Sequence, residues 1–155
     1  MSMLIAIAGI LLTAALQATV PAFWAFGGVR IEFLPALVAY AALTMHRGRA
    51  IAIAIIAGLV QDALSAGPFG LTALAYGIVT ILMTTLREVL DRDLPWMQMG
   101  AGALTSIAAA TLAFFAVGIS LATIFKMIVV ASLSGLVTVI LFFVLDYTRM
   151  IWGDA

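Results

Sequence analysis

The chain contains no cysteine. That excludes disulfides, a thiolate nucleophile and cysteine metal sites, and it leaves the redox compartment open. A single histidine rules out the paired-histidine arrangement of a zinc protease. Charge is scarce too. Lys, Arg, Asp and Glu make up 9% of the 155 residues, against about 25% in an ordinary soluble domain. The net charge is zero, which predicts no nucleic-acid footprint and no polybasic lipid-binding tail. No glycine-flanked serine follows a strand, and no glycine loop ends in the lysine that a phosphate cradle requires. With no nucleophile and base in a recognisable pattern, the sequence predicts a non-enzyme without cofactor or metal.

What is abundant is apolar surface. Hydrophobic residues make up 66% of the chain and the mean hydropathy is +1.28. So few charges cannot cover the surface of a folded chain in water, and the exterior is expected to face lipid. The N-terminal Met1-Ser2-Met3 lacks the basic start of a signal peptide, and its apolar run continues to about Phe23. It reads as a retained first span.

Breaks in the apolar pattern divide the chain into six expected helices within one transmembrane domain, roughly 3–23, 33–45, 50–64, 71–86, 96–117 and 123–145. The breaks are a glycine-rich turn through Gly27, Arg30 and Glu32, the basic turn His46-Arg47-Gly48-Arg49, and the turn Ser65-Ala66-Gly67-Pro68-Phe69-Gly70. The charged run from Arg87 to Pro95 and the stretch Gly118–Ala122 complete them. Asp146 to Ala155 reads as a short tail. The second and third spans are short, reaching roughly 20–22 Å of a core about 30 Å thick. Either they borrow residues from their turns or they lie inside the bundle, where protein shields irregular backbone. A re-entrant hairpin is the weaker reading.

Basic residues set the orientation. Arg47, Arg49, Arg87, Arg92 and Arg149 fall on the side that holds both termini, and Arg30 and Lys126 on the other. The positive-inside rule then places both termini in the cytoplasm.

Asp62 is the sharpest single feature, a lone acid near the far end of the third span. An ionisable group at membrane depth faces the bundle interior and has a partner. A relay needs further titratable groups, and no second acid lies inside an expected span. The favoured role is therefore structural or partner-binding: Asp62 ties the end of span three to exposed amides of the next turn and the start of span four. In that turn Gly67 and Gly70 permit conformations that a Cβ hinders, and Pro68 fixes φ. Thr72 is a candidate cap for span four. Thr72, Tyr76 and Thr80 share one helix face, as liners of a polar cavity or, preferably, as interhelical hydrogen-bond donors. His46 and Lys126 read as residues that snorkel to an interface. The pairs Ala14/Ala18, Ala54/Gly58, Gly102/Ser106 and Ala131/Gly135 have the spacing that lets helix backbones approach closely, mostly for internal packing.

The stretch from Gly58 through Gln61-Asp62, Gly67-Pro68-Phe69-Gly70-Leu71 and Ala73-Leu74-Ala75-Tyr76 resembles the signature region of the MreD family of rod-shape-determining membrane proteins. Upstream, Phe33-Leu34-Pro35-Ala36-Leu37, Tyr40 and the Arg47-Gly48-Arg49 turn are similar to the same family. The strong likeness covers about Phe33 to Arg87; elsewhere only hydropathy and length agree. One departure stands out: Ala36 occupies the position where the family often has an acid after the proline, and Glu32 is close by but out of register.

The resemblance implies a compact bundle of six transmembrane helices, similar to the substrate-binding subunits of energy-coupling-factor transporters. It implies a non-enzymatic scaffold of the cell-wall elongation machinery in the bacterial cytoplasmic membrane. MreC is then the partner, with RodA, a class B penicillin-binding protein and MreB as further complex members and lipid all around. It marks Gln61, Tyr76, Pro35 and Tyr40 as candidate partner or interior contacts. The alternative is a vitamin-binding subunit of an energy-coupling-factor transporter, which needs polar and aromatic groups converging in a pocket. Trp24, Asp62, Tyr76 and Lys126 are the available liners.

Overall fold

The structure, a computed structural model, describes residues 3–19, 32–65, 69–87, 94–117 and 121–152. Six helices account for nearly all of these: α1 (Met3–Thr19), α2 (Leu34–Thr44), α3 (Arg47–Leu64), α4 (Leu71–Leu86), α5 (Pro95–Val117) and α6 (Leu121–Trp152). Among the described residues there is no strand. Trp24, Arg30, Gly67, Pro68 and Arg92 lie outside the described residues, as do the expected ends of the first span beyond Thr19.

The shortest helix is at the centre. α2 has 11 residues, and every one from Leu34 to Leu43 is buried. It packs against all five other helices. A helix that is apolar all round must be covered all round, and α2 reaches only about 16 Å. Pro35 sits in its first turn, where the missing N–H breaks no helical bond. Around α2, α3 pairs with α4 and α5 with α6, while α4 also lies along α5 and α1 packs on α3 and α2.

Small residues set the helix spacing. A Cβ on Gly58 would overlap the backbone of Ala73, so α3 and α4 are in backbone contact there. Gly102 faces Thr138, and Gly135 faces the Met99 carbonyl, joining α5 to α6 at two levels. Three of the four small-residue pairs thus contribute a glycine to a helix–helix contact. Ala18 of the fourth is exposed.

The helix ends differ from expectation at two points. α3 begins at Arg47 rather than residue 50, so Arg47 and Arg49 occupy its first turn. α6 runs to Trp152 rather than stopping at residue 145, which puts Asp146 inside a helix instead of a tail. In both cases charge marks a solvent boundary, whereas the helix continues as long as its backbone bonds do. Arg149 lies in this extension, its side chain outside those described. By length and composition Phe125–Tyr147 is able to cross a membrane, while Ile7–Thr19, Leu34–Thr44 and Leu71–Leu86 are apolar but shorter.

Polarity is arranged from the inside. Thr80, Thr105, Ser106, Ser134 and Thr138 are buried, while Leu11, Leu12, Ile78, Phe125, Ile128, Ile140 and Phe143 are exposed. Several hydroxyls are satisfied within their own helix. Thr13, Thr44, Thr105 and Thr138 each donate to the carbonyl one turn back. The Tyr40 ring meets Phe142 edge-on at 4.8 Å between centroids. Its hydroxyl donates to Asp146 Oδ1 at 3.2 Å, linking α2 to the extended part of α6.

Candidate functional site

The end of α3 and the start of α4 meet at Asp62. Gly58, one turn earlier, brings α3 onto Ala73 of α4, and this close approach carries Asp62 to the amides that open α4. The Asp62 side chain is buried. Its Oδ2 accepts from the Gly70 N–H at 2.8 Å and its Oδ1 from the Thr72 N–H at 3.2 Å. The opening amides of a helix have no partner within the helix and carry its positive dipole end, so a carboxylate from another helix suits them. Gly70 is the residue preceding α4 and has φ +96°, the left-handed region that favours glycine. No side chain at Gly70 caps the helix. Thr72, expected as the cap, instead lies inside α4 and is itself capped by Asp62. Ser65 closes α3 by donating its N–H to the Gln61 carbonyl and its hydroxyl to the Asp62 carbonyl.

Beside Asp62 a second buried link ties α1 to α3. The Gln17 side-chain amide donates to Gln61 Oε1 at 2.8 Å, and Gln17 Oε1 accepts from the Phe33 N–H at 3.3 Å. One glutamine therefore joins α1, α3 and the residue preceding α2. Nothing in the sequence marked Gln17, because its partners are distant along the chain.

A cavity of about 200 Å³ opens between the α3–α4 and α5–α6 pairs. Its polar lining comes from Glu32, Gln61, Ser65, Thr72, Tyr76, Ser106 and Lys126. Removal from water raises the Glu32 carboxyl to about 7. The Tyr76 hydroxyl and Ser106 Oγ are buried without a hydrogen-bond partner, as is Thr80 Oγ1 deeper in the bundle. Thr72 and Tyr76 thus line a cavity, and the interhelical hydrogen bonds preferred for Tyr76 and Thr80 are not made. Neither Glu32, read as a turn charge, nor Ser106, read as a packing residue, was singled out as a cavity liner. The burial of each is set by helices remote in sequence.

His46 lies at the other end of the molecule. It precedes α3 and is exposed, about 24 Å along the axis from Asp62. It is out of reach of the cavity. At that same end the Arg87 guanidinium donates to the Met45 carbonyl at 3.0 Å. This bond gathers Arg47, Arg49 and Arg87 at one end of the bundle.

No curated protein and no solved structure matches the chain. The family model described as rod shape-determining protein MreD matches residues 1–152. With nearly the whole length covered, the chain belongs to the MreD family, bacterial membrane proteins whose role is structural in determining rod shape.

Proposed function

We propose that the chain is a non-enzymatic scaffold subunit of the cell-wall elongation machinery. It crosses the cytoplasmic membrane six times with both termini in the cytoplasm, and it binds MreC. RodA, a class B penicillin-binding protein and MreB join the same assembly. The observation that carries the membrane part is the inverted polarity of the bundle. Hydroxyl residues such as Thr80, Thr105, Ser106, Ser134 and Thr138 are buried within its apolar core, and Phe125, Ile128, Leu136, Ile140 and Phe143 form an exposed stripe along α6 at helical spacing. A stripe of that size on a water-soluble monomer would drive association; in lipid it needs no partner. The short α2 fits this reading, because protein covers it at every level.

Family membership supports the partner assignment. The second reading, a vitamin-binding subunit, draws on the polar cavity. At about 200 Å³ that cavity falls below the roughly 300–1,000 Å³ of pockets for drug-sized ligands, which favours the scaffold. Depleting the chain from its rod-shaped host should round the cells and leave vitamin uptake intact. Unchanged rods with impaired uptake would reverse the assignment.

A further inference from the structure

The cavity has features that a scaffold does not require. Tyr76 is 0% exposed and Ser106 2%; both residues line the cavity, and the hydroxyl of each is buried without a hydrogen-bond partner. Buried polar groups are almost always satisfied, so such a pair marks a place where a further polar group belongs. Side chains of opposite charge type line the same space, Glu32 from the residues before α2 and the exposed Lys126 from near the start of α6. Among the described residues, neither has an ion-pair partner.

The lining selects its occupant by elimination. A simple cation would be opposed by Lys126 and a simple anion by Glu32. An apolar group would leave both hydroxyls unsatisfied. The volume, about 200 Å³, is below the roughly 300–1,000 Å³ of pockets for drug-sized ligands, so the occupant is small. We infer that the cavity binds a small zwitterionic group, its ammonium against Glu32 and its anionic oxygens against Lys126, with the Tyr76 and Ser106 hydroxyls completing the hydrogen bonds. Either an aminoalkyl phosphate headgroup of a membrane lipid or a free molecule of the same chemistry supplies this group. The site goes beyond the scaffold reading and does not depend on it.

The test uses the full chain in nanodiscs of phosphatidylglycerol, titrated calorimetrically with O-phosphoethanolamine and, separately, with ethanolamine and inorganic phosphate. A parallel arm uses nanodiscs of mixed phosphatidylethanolamine and phosphatidylglycerol, read by native mass spectrometry for retained lipid. Saturable binding of O-phosphoethanolamine at least tenfold tighter than either half-molecule supports a free ligand. Selective retention of phosphatidylethanolamine supports the lipid source. In either arm Glu32→Gln and Lys126→Gln should each weaken binding at least tenfold, while Lys126→Arg, which keeps the charge, should preserve it. Binding in neither arm, or binding unchanged in both neutral variants, would overturn the inference.

Discussion

The Asp62 carboxylate accepts the Gly70 N–H at 2.8 Å, eight residues further along the chain and across the turn between α3 and α4. Together with the bond from the Thr72 N–H, this makes a side chain of one helix the cap of the next. Asp62→Leu leaves both amides without their acceptor and should destabilise the protein by about 1–3 kcal/mol. Asp62→Asn keeps an acceptor oxygen and should cost less. Thermal melting in detergent, with membrane abundance beside it, measures both. If Asp62→Asn abolished MreC binding at normal abundance and stability, the carboxylate would be a direct contact and not a cap.

Glycines near this cap separate two kinds of constraint. Gly70→Val places a β-branched residue at φ +96° and should destabilise by about 1–3 kcal/mol, whereas Gly70→Asn should be milder. Gly58→Ala drives a methyl group into the Ala73 backbone and must separate α3 from α4, costing about 1–3 kcal/mol. Gly77→Ala is the control: nothing lies within 4 Å of its Cβ position, so melting should stay level or rise slightly.

Particular residues show how much was legible in advance. The bounds of α4, Leu71–Leu86, coincide with the expected span because a glycine-proline turn precedes it and a charged run follows. The ends of α3 and α6 lie beyond the expected spans because hydropathy reports where lipid would stop, not where backbone hydrogen bonding does. Asp62 stood out as a single acid in an apolar run, and the structure places it on the α4 amides. Glu32, Gln17 and Ser106 did not stand out. Their surroundings come from helices far away in sequence, and no local pattern encodes that. Hydropathy alone puts Asp146 in a tail, and its bond to Tyr40 depends on the extra turns of α6.

Glu32 gives the protein a pH dependence with a definite sign. Its carboxyl rises from 4.5 to about 7 on folding, so the folded state holds its proton more tightly than the unfolded chain. Stability from this group is greatest below about pH 4.5 and falls as pH rises toward 7. The full effect is on the order of 3 kcal/mol. Melting temperature should therefore fall across that window, and Glu32→Gln should flatten the slope. An identical slope in the variant would assign the dependence to other groups.

Orientation is open to direct measurement. The Arg87–Met45 bond collects three arginines at one end of the bundle, which the positive-inside rule assigns to the cytoplasm. Reporters fused after Ala155 and within 118–120 should report opposite sides, with the C-terminal fusion cytoplasmic. A periplasmic C-terminal signal would invert the topology.

Purification of the tagged chain with co-expressed MreC from the same bacterium tests the central claim most directly. The account predicts a detergent-stable complex that elutes as one species and contains both proteins in fixed proportion. It also predicts that Gly58→Ala reduces that complex only as far as it reduces the abundance of the folded chain. Recovery of abundant, folded chain free of MreC, under conditions that preserve other membrane complexes of that bacterium, would contradict it.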